Sequence, residues 1–174
     1  MRLAHSKEEE MHLKSRYVVL AAIVGAIAAL SAVGFAASAH FIGTPTCSKS
    51  NSGVLTCSGK AAGLGNGPTD AFLTADSINA TYVCRNHGGN IAPGQGTFTG
   101  PAEGQHQQIT PRNGQITFSP SLQPPATPTP AQAGCPNGGW TVERTSLTYV
   151  NVVLHIQQPP GTDVLTYSFG SIDP

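Results

Sequence analysis

Four cysteines, Cys47, Cys57, Cys84 and Cys135, all follow one long apolar segment. That order constrains the chain more than any other feature. The segment, Tyr17 to Ala39, has 19 apolar residues in 23 and no charge. Lys14 and Arg16 precede it, and Ala37-Ser38-Ala39 closes it. A basic flank, an apolar stretch and a small-x-small exit make a secretory signal peptide, cut after Ala39. Residues 1–39 are therefore read as the signal. Glu8, Glu9 and Glu10 do not suit a basic flank, so Met11 is an alternative start. The rival reading is an uncleaved N-terminal anchor, which the segment is long enough to be. On both readings the rest of the chain lies outside the membrane, secreted or anchored. An even cysteine count there implies two disulfides.

One pairing follows from local geometry. If Asn51-Ser52-Gly53 is a three-residue hairpin loop with Gly53 left-handed, Ser50 faces Val54 and Cys47 faces Cys57. Cys84 is then left for Cys135. In the chain-entropy model the two links are worth about 3 and about 4 kcal/mol.

The exported part, residues 40–174, is one domain by length. It has five Lys+Arg against six Asp+Glu, hence a net charge of −1. Charged residues are 10% of the whole chain, against roughly 25% in ordinary globular proteins. Such a surface has no electrostatic footprint for nucleic acid. Thr, Gly and Pro supply 49 of the 135 exported residues, which suits short strands joined by turns. Helical periodicity is absent, and strand-like alternation recurs between turn signals. Strands are expected at 41–48, 54–62, 71–75, 78–84, 97–99, 107–110, 115–119, 140–144, 147–157 and 164–169.

The clearest unit is a C-terminal hairpin. Thr148, Val150, Val152, Leu154 and Ile156 form the expected core row, so Tyr149, Asn151 and His155 should face outward. Gln158-Pro159-Pro160-Gly161-Thr162 turns the chain, and Leu165, Tyr167 and Phe169 line the return strand. Asn113-Gly114 marks a type I′ hairpin. Three stretches read as irregular: Gly63–Pro68, Arg85–Gly96 and the proline-rich Ser119–Gln132. The last is expected to be a crossover loop inside one sandwich, because the Cys84–Cys135 link would cross it.

Signals for catalysis are missing. There is no G-x-S-x-G, no S-x-x-K and no cysteine spare for a Cys–His pair. Gly63-Leu64-Gly65-Asn66-Gly67 lacks the Lys-Ser/Thr of a phosphate loop. Cys84-Arg85-Asn86-His87 has a metal-like spacing, which His40, His106 and His155 could complete by folding. A structural zinc site, however, would show a second close pair. Asp70, Asp76, Asp163 and Asp173 lack calcium-loop spacing. The carboxylates available for an acid pair are Asp70, Asp76, Glu103, Glu143, Asp163 and Asp173. Glu143 beside Arg144 reads as an exposed charge pair. Trp140 is expected to pack near the Cys135 disulfide, and Tyr149 is the best exposed aromatic. Asn79-Ala80-Thr81 is a glycosylation sequon inside an expected strand. No cofactor, metal or catalytic residue is assigned.

The series Gly63-Leu64-Gly65-Asn66, Cys84-Arg85-Asn86-His87-Gly88-Gly89-Asn90, Asn113-Gly114, Cys135-Pro136-Asn137 and Trp140 resembles a group of short secreted β-proteins from soil actinobacteria and similar bacteria. The resemblance runs from about Leu55 to Phe169 and rests on turns and cysteines. It implies secretion and a β fold, fits Cys84 with Cys135 as the core pair, and supplies no catalytic residue.

The chain is thus expected to be an all-β, Greek-key, immunoglobulin-like sandwich behind an N-terminal signal. It should be non-enzymatic and act through its surface, the partner unknown. Arg85, Asn86, His87, Asn90 and Gln95 are the candidate contact residues, with Ser119–Gln132 as a second contact loop. Alternatives are a self-assembling fibre or coat subunit, using a freed N-terminal strand, and a polysaccharide hydrolase with an acidic pair.

Overall fold

The computed structural model describes residues 38–93 and 100–173. The signal segment, the strand expected at 97–99 and Gln95 lie outside the described residues, apart from Ser38 and Ala39. All regular structure among the described residues is β, so none of them forms a helix able to cross a membrane.

Among the described residues, twelve strands form two antiparallel sheets that pack together, as in a β-sandwich. The first sheet is built on β3 (Leu55–Ala62). On one side β3 pairs with β1 (His40–Phe41) and β2 (Thr46–Lys49), on the other with β9 (Ile116–Phe118) and β10 (Ser121–Leu122). Leu55, Cys57 and Ala61 of β3 are buried, as alternation requires. Gly59 breaks the row for a steric reason. The Phe118 ring lies where a β-carbon would stand.

The second sheet has four lanes. β12 (Asp163–Ile172) pairs with β11 (Thr141–Gln157). β11 pairs along its other side with β4 (Thr69–Ala75) and then β5 (Ser77–Arg85). These two are one nearly continuous lane, interrupted only at Asp76. The fourth lane contains β6 (Ile91–Pro93), β7 (Ala102–Glu103) and β8 (Gln107–Ile109).

The central pair is kinked at one level. Asn151 has φ 52°, and Asp76 lies opposite it. The Asp76 N–H donates to the Val150 carbonyl at 3.0 Å, and Asn151 Nδ2 donates to Asp76 Oδ2 at 2.8 Å. One residue on each strand leaves the pleat, so the inward row changes parity. Ala71, Leu73 and Ala75 become Ile78, Ala80, Tyr82 and Cys84 on one strand. Leu147 and Tyr149 become Val152, Leu154 and Ile156 on the other. This corrects the expected core row. Thr148 and Val150 are only half-buried, while Tyr149 is wholly buried rather than exposed. Its hydroxyl donates across the core to the Gly53 carbonyl at 2.7 Å and lies 3.3 Å from that of Leu122.

Other turns follow the sequence. Gly53 has φ 93°, Ser50 N–H donates to the Val54 carbonyl, and Cys47 pairs with Cys57 in register and by disulfide. Asn113 and Gly114 have φ 51° and 71° in a tight turn closed by Arg112 and Gln115. The second disulfide joins Cys84 to Cys135. The strands expected at 140–144 and 147–157 are a single strand, because a bulge between Arg144 and Ser146 bends the ladder without ending it. The Ser119–Gln132 stretch is not all loop. Its start is β10, the Pro120 carbonyl accepts from Cys57 N–H, and Leu122 is 1% exposed. The glycine loop 63–68 is anchored by the Gln158 side chain, which bonds Gly65, Gly67 and Thr69.

Candidate functional site

The outward face of the second sheet carries the densest chemistry. With Ala71, Leu73 and Ala75 turned to the core, Asp70, Phe72 and Thr74 must turn away from it. On β11 the same rule sends His155 and Gln157 outward, beside Phe72 and Asp70 in register. His106 arrives from the β7–β8 turn. Gly104 starts that turn, its N–H donating to the Leu73 carbonyl at 2.8 Å. A side chain there would strike the Ser121 carbonyl.

Phe72 is covered on this face by imidazoles. The His106 ring stacks at 4.1 Å between centroids and the His155 ring at 4.8 Å, nearly parallel to the phenyl in both cases. That cover explains why Phe72 is only 5% exposed on an outward face. Each imidazole has both nitrogens engaged. His106 Nδ1 lies 2.5 Å from Asp70 Oδ2, and its Nε2 lies 3.0 Å from Glu103 Oε1. His155 Nδ1 lies 2.9 Å from Asp163 Oδ2, and its Nε2 lies 3.0 Å from Thr74 Oγ1. Gln157 Nε2 donates to the other Asp163 oxygen at 2.9 Å.

The electrostatics follow from these contacts. The Glu103 and Asp70 hydrogen bonds raise the His106 pKa above its ordinary 6.5, against a smaller opposing effect of burial. A charged His106 also gains from the Phe72 ring face. Burial pushes the Asp163 carboxyl up, but its bonds from His155 and Gln157, with the His155 charge, outweigh that and hold it below its ordinary 3.8.

Thr74, His155 and Asp163 have the order hydroxyl–imidazole–carboxylate. Acyl transfer also needs donors aimed at a developing oxyanion. Here β4 and β11 pair with each other through this region, and their N–H groups belong to that ladder. Asp70 and Glu103 sit at opposite nitrogens of one ring, so they do not converge on a single point. Among the described residues no three or more His, Cys, Asp or Glu side chains are placed to share an ion. Cys84 is in a disulfide, which removes the thiolate from the Cys84–His87 spacing.

The contact residues expected from sequence fall elsewhere. Arg85–Gly96 is not simply a loop. Arg85 ends β5, Asn86–Asn90 is a tight turn, and β6 follows. Asn86 Oδ1 accepts from Asn90 N–H, while His87 and Asn90 are exposed. Arg85 pairs with Glu143, its Nε 2.8 and 2.9 Å from the two carboxylate oxygens. Glu143 therefore does not pair with Arg144. Asp76 is held by Asn151, and Trp140 is half-buried. The sequon residue Asn79 sits mid-strand in β5, half-buried, with Thr81 exposed. Of the six carboxylates, only Asp70 and Glu103 meet on a common partner. The β5–β6 turn lies at the far end of the β4–β5 lane from Phe72. The Phe72 face was missed because its members are scattered along the chain. The available signal was the outward row Asp70-x-Phe72-x-Thr74 of an expected strand. No protein-family model, curated protein sequence or solved structure matches this chain.

Proposed function

We propose that this is an exported, disulfide-stabilised sandwich of Greek-key, immunoglobulin-like build that acts by surface contact rather than catalysis. The signal-like segment before the first cysteine and the resemblance to short secreted bacterial proteins support export. The observation that carries the contact reading is the saturation of the Phe72 face. Each imidazole nitrogen there already has an oxygen partner, and Asp70 and Glu103 hold the same ring. Such a face is polar, and its side chains hold one another in place. Asp70 Oδ1 is buried and has no hydrogen-bond partner among the described residues, so the exposed Glu103 carboxylate is the acceptor that the face presents.

Mass spectrometry of the exported protein should find His40 at the N-terminus. A chain retained in membranes with residues upstream of Tyr17 would overturn the cleaved signal. Panels of esters and polysaccharides should show no turnover. Hydrolysis that disappears in H155Q, D70N or E103Q would overturn the contact reading.

A second reading is self-assembly. It is favoured by β12, a ten-residue strand that among the described residues pairs only with β11. Such an edge can accept a neighbour's strand. A strict monomer by size-exclusion at high concentration removes that reading.

A further inference from the structure

The five cations of the described domain are not equivalently placed. Only Arg85 has a carboxylate partner among the described residues. Lys49 and Arg144 share one groove at an end of the sandwich, of about 180 Å³. That groove is made by two sequence devices. The left-handed Gly53 brings the β2–β3 hairpin close to β11, and a β-carbon there would meet the Arg144 and Leu147 side chains. The bulge between Arg144 and Ser146 changes the ladder register at Thr145, and bulges commonly re-aim side chains at functional surfaces.

Both cations are held in place by uncharged acceptors. Lys49 Nζ donates to the Leu147 carbonyl at 3.2 Å. The Arg144 guanidinium donates to the Ser52 carbonyl at 2.6 Å. These bonds fix the side chains without neutralising them, and further donors remain on each. Ser50, Asn51, Thr145 and Ser146 complete the lining, with hydroxyl and amide groups and no acid. The volume equals about six waters, room for a tetrahedral anion and part of its carrier.

We propose that this groove is a binding site for a phosphate or sulfate group. The planar guanidinium and the ammonium provide charge-assisted donors from two sheets, and the Asn51 amide provides a neutral one. The proposal does not depend on the Phe72 face, which lies on another surface and carries a different charge pattern. A second groove holds Lys60 and Arg112. It is also lined by Ile109 and Ile116, and neither of its cations has a side-chain hydrogen bond among the described residues, so it serves as a charge-matched control.

The test is NMR titration of the folded protein with sodium phosphate, sodium sulfate, dextran sulfate and neutral dextran at constant ionic strength. Saturable shifts should centre on the Gly53 and Ser146 amides, and neutral dextran should give none. K49Q and R144Q should each weaken binding by about tenfold, with R144K restoring part of the loss. The K60Q/R112Q double variant, with the same total charge change as K49Q/R144Q, should stay within about twofold. Saturation by the simple salts identifies a free ion as sufficient, and saturation by dextran sulfate alone identifies a polymer-borne group. Absence of saturation with all three anions overturns the proposal. So does an equal loss in K60Q/R112Q, which would make the attraction one of net charge. Thermal melts confirm folding, and K49Q decides the matter if R144Q does not fold.

Discussion

At the scale of single residues, Tyr149 has the largest structural consequence. Its phenol joins β11 to the hairpin tip and to β10 through two carbonyls. Burial, opposed by the Arg144 charge, pushes its pKa up to about 12. Y149F keeps the ring but removes the donor, and should lower stability by about 1–3 kcal/mol in urea titration. An unchanged midpoint would mean that the hydroxyl is not the tie between sheets. His106 and Asp163 set opposite ends of a pH profile. The folded pKa of His106 is above 6.5, so its contribution is complete below 6.5 and is lost as pH rises through the folded value. The folded pKa of Asp163 is below 3.8, so its contribution is complete above 3.8 and is lost as pH falls through the folded value. Both are present between those limits, and melting temperature should peak there. H106Q should flatten the alkaline limb and D163N the acid limb. Both side chains are about two-fifths exposed, so solvent screens the effects and keeps them small.

At the scale of elements, the paired kink at Asp76 and Asn151 governs which residues face the core. N151A replaces a residue that tolerates the left-handed conformation with one that does not, and deletes the bond to Asp76. It should cost about 1 kcal/mol or more, while N151G should cost less. Equal stability of the two variants in denaturant titrations would show that the backbone there relaxes freely. The same kink explains what could and could not be read from sequence. The Cys47–Cys57 hairpin and the Asn113-Gly114 turn were legible, because glycine at a left-handed position fixes register locally. The row Val152, Leu154 and Ile156 was legible for the same kind of reason, through strict alternation. Tyr149 was not, since alternation counted back from Val152 crosses Asn151 and inverts. The Phe72 face needed four strands and a turn brought side by side, and no local spacing encodes that. The short strands β7 and β10 were hidden because two residues cannot display a period.

At the scale of the whole molecule, covalent links supplement a lean interior. Separating Cys84 from Cys135 by a double alanine substitution should cost about 4 kcal/mol. Removing the Cys47–Cys57 link should cost less, about 3 kcal/mol in the chain-entropy model. Urea titrations of the two variants against the oxidised parent check the order. Reversal of that order would mean the short hairpin depends on its bridge more than the long crossover does.

The 17 residues of β11 lie against a lane that ends at Arg85, so its first rung, Thr141 with Arg85, already closes 56 residues of chain. Chain order therefore decides the timing of assembly. As the polypeptide emerges N-terminus first, β4 and β5 must wait without their inner neighbour until residues near the C-terminus are free. Such long-range pairing places the molecule among slow folders, in the millisecond-to-second range. A chain cut before Thr141 would keep the cysteines of both disulfides and its outward histidine His106, yet lack the strand on which the second sheet is centred.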